Sequence, residues 1–206
     1  MLIGLDFDNT IVCCDRLFHR AAAEKGLIPA EVPIAKEKVR AYLRSRGRED
    51  DWTELQGYVY GVLIREAPIF PGVVDFFTRC KEQGIAVYVI SHKTRHPFLG
   101  QAYDLHKAAH EWLEQHGFYD PKGIGLSKGE VFFELTKQEK LNRITRVGCS
   151  YFVDDLPELL AEPGFPAGVE RIMFDPNGQH QDDGHVHRAT SWAEIELLLI
   201  GARTSA

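Results

Sequence analysis

The sequence has no apolar run near the roughly 18 to 20 residues that a membrane-spanning helix needs. Its four cysteines, Cys13, Cys14, Cys80 and Cys149, form no CxxC pair and are too sparse for a secreted disulfide scaffold. Free, buried thiols are the expectation. A basic excess is also missing: 24 Lys and Arg stand against 30 Asp and Glu, a net charge of −6. That balance disfavours nonspecific binding to nucleic acid or to an anionic membrane, since both call for a basic surface. There is no internal repeat, no low-complexity tract and no signal-peptide pattern ahead of the first strand-like residues, so a cytoplasmic protein with a small substrate is expected.

What the 206 residues do contain, 44% of them hydrophobic, suffices for one substantial core with a small accessory unit. Three short apolar runs end at polar residues with catalytic potential: Leu2 to Leu5 before Asp6, Ala86 to Ile90 before Ser91, and Tyr151 to Val153 before Asp154. Continuous apolar runs of this length read as buried parallel strands. Arg171 to Phe174 and, more weakly, Glu130 to Phe133 read the same way. Helix-like stretches lie between them, at Val73 to Gln83, Ala102 to Gln115, Lys137 to Arg146 and Trp192 to Ile200, and glycine stops the first three. Strands alternating with helices predict an α/β fold, a doubly wound parallel sheet. Ligands of such sheets bind beyond the carboxyl ends of the strands, where Asp6, Ser91 and Asp154 would gather.

The alternation breaks between Asp15 and Glu66. Three helix-like segments fall there, near Arg16 to Lys25, Ile34 to Arg46 and Trp52 to Arg65, jointed by Pro29, Pro33 and the charged stretch Arg46 to Asp51. A single crossover seldom needs three helices. The expected organisation is therefore a core of residues 1–14 and 67–206 with a small helical cap, 15–66, inserted after the first strand.

The strongest local signal is Asp6-Phe7-Asp8-Asn9-Thr10, two carboxylates one residue apart at a strand end. Their repulsion has to be offset by a divalent cation, a difference in protonation, or both. The stretch resembles the DxDxT signature of the haloacid dehalogenase superfamily. That resemblance implies that Asp6 attacks phosphorus to form an aspartyl-phosphate, and that Asp8 protonates the leaving oxygen and later activates water. Three further elements follow in the family's order. Ser91, at the end of Ala86 to Ile90, resembles the hydroxyl that holds phosphoryl oxygens. Lys137, with Leu141 and Ile144 at its i+4 and i+7 positions, resembles the charge-balancing lysine, and Lys140 is the alternative. Asp154-Asp155, in Tyr151-Phe152-Val153-Asp154-Asp155, resembles the acidic motif in its paired form.

The resemblance spans about Met1 to Glu158 and implies Mg2+ as cofactor, held by carboxylates of Asp6 and of the Asp154/Asp155 pair and by the backbone carbonyl of Asp8. Which of the pair touches the metal stays open, although alignment of the strand ends favours Asp155. Thr10 and Ser91, with His92, Lys93 and Arg95 from the loop Ser91-His92-Lys93-Thr94-Arg95-His96, are the candidate phosphate- and substrate-binding residues. Lys93 and Arg95 either hold a second anionic group of the substrate or balance local acidity. Members of the family with other chemistries tend to lack the second aspartate, so Asp8 favours hydrolysis of a small phosphomonoester. A phosphotransferase, or a binding protein of the same fold, is the alternative. The stretch Gly178 to His187, rich in His and Asp, matches no closed zinc pattern and is expected to be a polar surface loop.

Overall fold

A computed structural model of the chain describes residues 1–180 and 186–201. Its strands are β1 (Leu2–Leu5), β2 (Ala86–His92), β3 (Val131–Glu134), β4 (Tyr151–Asp154), β5 (Glu170–Phe174) and β6 (His187–Ala189). Its helices are α1 (Asp15–Glu24), α2 (Lys36–Ser45), α3 (Glu49–Gly61), α4 (Val73–Glu82), α5 (Leu105–Gln115), α6 (Lys137–Val147), α7 (Pro157–Leu160) and α8 (Trp192–Leu199). Two compact units divide the chain. One comprises Met1–Ile11, Ile69–His92 and the chain from Gly117 onward, the other Val12–Pro68 and Lys93–His116.

The first unit holds a single six-stranded sheet in the order β3-β2-β1-β4-β5-β6, every neighbouring pair parallel. Successive side chains of a strand point to opposite faces, and both faces of this sheet are covered. Ile90, Phe152 and Met173 point to one side and pack with Leu141 and Ile144 of α6 and Leu159 and Leu160 of α7. On the other side Phe174 lies 5.9 Å from Trp192 of α8, which in turn lies 5.1 Å from Phe76 of α4. Full burial of such side chains stabilises by roughly 1.5 to 3 kcal/mol each.

The five strands expected from apolar runs are all present, β1 with the expected bounds and the other four shifted at their ends by one or two residues. β6 was not expected. It contributes three residues, of which Ala189 alone is buried, and its first residue belongs to the stretch read as a polar loop. Residues 181–185 of that stretch lie outside the described residues.

The second unit is helical, made of α1, α2, α3, a 3-10 turn at Leu63–Glu66 and α5. The segment 15–66 lies within it, together with Lys93–His116. Leu17, Phe18, Ala21 and Ala22 form the buried stripe of α1. Phe18 stacks on Trp52 at 5.0 Å and meets Tyr60 edge-on at 5.3 Å.

Two features of the first unit generate tests. Gly4 sits opposite Phe152 in the β1–β4 register, and a Cβ there would lie 2.5 Å from the Phe152 ring and 2.8 Å from the sulfur of Cys149. Because Phe152 is fully buried, its ring has no room to retreat. Gly4→Ala should therefore lower the unfolding free energy by about 1 to 3 kcal/mol in denaturant titration.

Asp175, just after β5, accepts hydrogen bonds from the backbone N–H groups of Gln179 and His180 and from Arg188 Nε of β6, each at 2.9 Å. Burial alone would raise its pKa, but these three donors together hold it below the ordinary carboxylate value. A carboxylate with a depressed folded pKa adds stability above its unfolded pKa, about 3.9, and loses it as pH falls through the folded value. Asp175→Asn should thus be less stable than the parent at pH 7, with the gap in urea midpoint narrowing as pH is taken from 5 towards 2.

Candidate active site

In this strand order the chain leaves β1 towards β2 and β3 on one side and returns to β4 on the other. A crevice results beyond the carboxyl ends of β1 and β4. Asp6 directly follows β1 and Asp154 ends β4, and the backbone N–H of Asp6 donates to the carbonyl of Val153 at 2.9 Å. The two acids are thereby fixed side by side. Asp6 is 5% exposed and Asp154 fully buried.

The cation between them is Lys140. Its Nζ donates to Asp6 Oδ1 at 2.5 Å and to Asp154 Oδ2 at 2.6 Å. Ser91, in β2, donates its hydroxyl to the same Asp6 oxygen at 2.9 Å. Asp154 Oδ1 accepts the backbone N–H of Leu156 at 2.9 Å. Burial pushes the Asp154 pKa up to about 6, chiefly against the pull of Lys140. For Lys140 burial acts downward, but Asp154 and Asp6 outweigh it and its pKa is raised. The two shifts, both upward, favour the charged lysine and the neutral acid; the contact of Nζ with two carboxylates decides for the charged lysine, with Asp154 ionised at neutral pH.

The turn after β1 carries the remaining residues of the first motif. Ile11 N–H donates to the Phe7 carbonyl at 3.0 Å, closing one helical turn around Asp8 and Asn9. Asn9 adopts φ of 60°, the left-handed region that Asn tolerates better than most side chains. Thr10 is fully buried, and its carbonyl accepts the indole N–H of Trp192 at 3.1 Å. In this structure Thr10 serves the turn.

Lys137 is not brought to the carboxylates. Its side chain is 44% exposed and lies 3.8 Å from Glu162. The expectation that favoured it counted i+4 and i+7 spacing from the start of α6, yet the stripe that α6 buries is Lys140, Leu141 and Ile144. Lys137 is the first residue of the helix, beyond the end of that stripe. Lys140, the alternative, occupies the place.

His92 is exposed, with its ring Nε2 at 3.2 Å from the Leu135 carbonyl. Lys93 and Arg95 belong to the helical unit. Arg95 is 66% exposed and pairs with Asp104 at 3.1 Å. The contribution of Trp192 to the turn was invisible in the sequence, because no local spacing links residue 192 to residue 10.

Asp6, Asp154 and Asp155 each offer a carboxylate oxygen, the three lying within 4.8 Å of one another. Three carboxylates against one lysine leave a net charge of −2 at the site. An all-oxygen donor set with that excess fits a hard divalent cation such as Mg2+. Asp155 is half-buried, and Asp154 is engaged by Lys140 and Leu156.

No protein-family model matches the sequence, nor does any curated protein. Solved structures do. A hydrolase of the haloacid dehalogenase family from Deinococcus radiodurans R1, with bound phosphate and sodium, is similar over 98% of this chain and 95% of its own, at 14% identity and a TM-score of 0.63. A haloacid dehalogenase-like hydrolase of Burkholderia xenovorans LB400 matches over 100% and 98%, at 13% identity and a TM-score of 0.56. The hydrolase YfnB of Bacillus subtilis, bound to magnesium, matches over 97% and 98%, at 13% identity and a TM-score of 0.54. The chain has the fold of the haloacid dehalogenase-like hydrolases. Among the described residues no helix is long and apolar enough to cross a membrane.

Lys140→Met should remove the cation from two buried carboxylates and destabilise by about 3 to 5 kcal/mol. Lys137→Met, which removes one half-exposed ion pair, should change stability by no more than about 0.5 kcal/mol. Urea titration of both variants reads the difference.

Proposed function

We propose that the protein is a magnesium-dependent phosphatase that hydrolyses a small phosphomonoester through an aspartyl-phosphate on Asp6. The observation that carries this reading is the placement of Asp6 at the end of β1, one oxygen held by Ser91 and Lys140 and the neighbouring Asp154 and Asp155 within metal-sharing distance. A nucleophilic carboxylate approaching a phosphate dianion needs positive charge preorganised around it, because the two repel. Lys140 supplies one such charge from the protein itself.

In the first step an Asp6 oxygen forms a bond to phosphorus as the ester P–O bond breaks, and Asp8 gives its proton to the leaving oxygen. In the second, Asp8 takes a proton from water, whose oxygen attacks phosphorus. The Asp6–phosphorus bond breaks, returning the carboxylate and releasing inorganic phosphate. Ser91 and Lys140 orient Asp6 and hold phosphoryl oxygens. The turn pinned by Trp192 keeps Asp8 at a fixed distance from Asp6. Magnesium held by Asp6, Asp155 and the Asp8 carbonyl, with Asp154 behind, would neutralise the charge shared by carboxylate and phosphate.

Asp8 separates this reading from dehalogenation, which has no alkoxide leaving group to protonate. The presence of both Asp6 and Asp8 separates it from a binding protein without turnover. An acceptor alcohol in place of water would make the same intermediate a phosphotransferase intermediate.

A screen of phosphate esters with magnesium should reveal phosphate release that chelation by EDTA abolishes. In Asp6→Asn the rate should fall by at least about 10³-fold, the scale of losing a covalent nucleophile. Activity surviving in Asp6→Asn would overturn the mechanism, and silence from the parent protein across the screen would overturn the assignment as a phosphatase.

A further inference from the structure

We infer that the helical unit contains a binding site for a small zwitterion, an ammonium and a carboxylate on one short skeleton, with Glu54 to take the ammonium and Lys25 the carboxylate. The site is independent of the phosphatase reading, since every residue that lines it belongs to the helical unit.

A cavity of about 470 Å³ lies between α3, the residues that follow α1, and the loop before α5. Its volume falls within the roughly 300 to 1,000 Å³ usual for small-molecule sites. From α3 it is lined by Asp51, Glu54, Leu55 and Tyr58, which at spacings i, i+3, i+4 and i+7 share one face of the helix. Leu55 is 1% exposed and gives the cavity an apolar floor.

The loop that forms the opposite wall is held in place. Leu105 N–H donates to the Arg95 carbonyl and Tyr103 N–H to the Gln101 carbonyl, each at 2.9 Å, and the Tyr103 hydroxyl donates to Gln101 Oε1 at 3.0 Å. Pro97 and Tyr103 lie directly on α3. A Cβ at Gly57 would fall 2.7 Å from Pro97, and one at Gly61 would meet the Tyr103 side chain. Glycine weakens a helix interior, and these two, one turn apart, are explained by the close approach of the loop. Gly100, at φ of 83°, brings the loop against Glu54, where a Cβ would lie 3.4 Å from Glu54 Cγ. A wall fixed before the ligand arrives lowers the cost of binding.

The charges select the ligand. Asp51 accepts from Arg48 Nε at 2.7 Å and is thereby neutralised. The side chains of Glu54 and Lys25 form no hydrogen bond or ion pair among the described residues, with each other or with any other group. Lys25 Nζ lies 4.8 Å from the centre of the Tyr58 ring instead. An aromatic face attracts a cation without consuming its hydrogen-bond donors. One anion and one cation therefore line the same cavity without pairing. A purely cationic ligand would be repelled by Lys25 and a purely anionic one by Glu54. A ligand that carries both charges meets its opposite at each end, through two charge-assisted hydrogen bonds. Amino acids are the class that fits.

Isothermal titration calorimetry of the full chain with each of the twenty encoded amino acids tests this. At least one should bind with a Kd below about 1 mM. The amine that lacks its carboxylate and the acid that lacks its amino group should each bind at least about 10-fold more weakly, the scale of one charge-assisted hydrogen bond. Glu54→Gln and Lys25→Met, both at exposed positions, should each weaken the amino acid by about the same factor, with the urea midpoint unchanged. Lys25→Arg, which keeps the charge, should retain most of the affinity. Failure of all twenty to bind below about 1 mM overturns the inference. So does an amine or an acid that binds as tightly as the whole amino acid, since one charge of the pair would then be idle. Undiminished affinity in either Glu54→Gln or Lys25→Met overturns it as well, because the amino acid would then be held elsewhere.

Discussion

The contact on which the site depends is Lys140 between Asp6 and Asp154. A lysine 2% exposed, at 2.5 and 2.6 Å from two buried carboxylates, is an arrangement that stability alone would not select. Desolvating three charges costs several kcal/mol per ion, and a well-packed apolar trio of similar volume would hold the sheet at least as well. What the charged trio achieves, and an apolar one could not, is a pair of carboxylates held at fixed positions at the ends of β1 and β4. Several features of the fold serve it. Strands β1 and β4 are neighbours, so their terminal acids lie side by side. Helix α6 lies where its buried stripe can deliver Lys140. Gly4 admits the Phe152 ring, over which the Lys140 Nζ sits at 5.3 Å.

The fold was legible because its determinants are local. A run of three to five apolar residues ending in a polar one reads as a buried parallel strand, and five of the six strands announce themselves in that way. Helices α4 and α6 carry their stop signals in Gly84 and Gly148, both at positive φ. The sixth strand has no such signature. β6 is paired along one edge only, to β5, and two of its three residues are not buried, so burial imposed no apolar pattern on it. Its position is secured by the Arg188–Asp175 contact, a long-range pairing that no window of sequence displays.

The site was legible to the degree that its residues sit at strand ends. Asp6, Ser91 and Asp154 could be located from the apolar runs before them, and the structure brings all three to one cluster. The lysine was not singled out, because it comes from a helix whose sequence offers two candidates. Lys137 and Lys140 are three apart and share a face by spacing alone. What separates them is where the helix begins relative to the sheet. Thr136 caps α6, accepting the Glu139 N–H, and this starts the helix at Lys137, leaving that side chain one turn short of the core. The cap residue is visible in the sequence; the height of the helix above the strand ends is a tertiary quantity.

The backbone around the two aspartates explains why so small a motif can work. Catalysis by a carboxylate pair needs a fixed separation, since a misplacement near 1 Å can cost about 10²-fold. A free turn of five residues would not keep it. Here Asp6 N–H is bound to β4, Ile11 N–H to Phe7, the Ile11 carbonyl to Phe70 N–H, and the Thr10 carbonyl to Trp192. Apart from Phe7 of the turn itself, these partners come from three separate stretches of chain, including α8 at the far end of the sheet unit. Trp192 is fully buried between Phe76 and Phe174, so its indole N–H is as fixed as the core that surrounds it. The hydrophobic packing on one face of the sheet thus bears on the geometry of the aspartate turn, and on the phosphatase reading proposed above a substitution at Trp192 would alter the rate without touching a reacting atom.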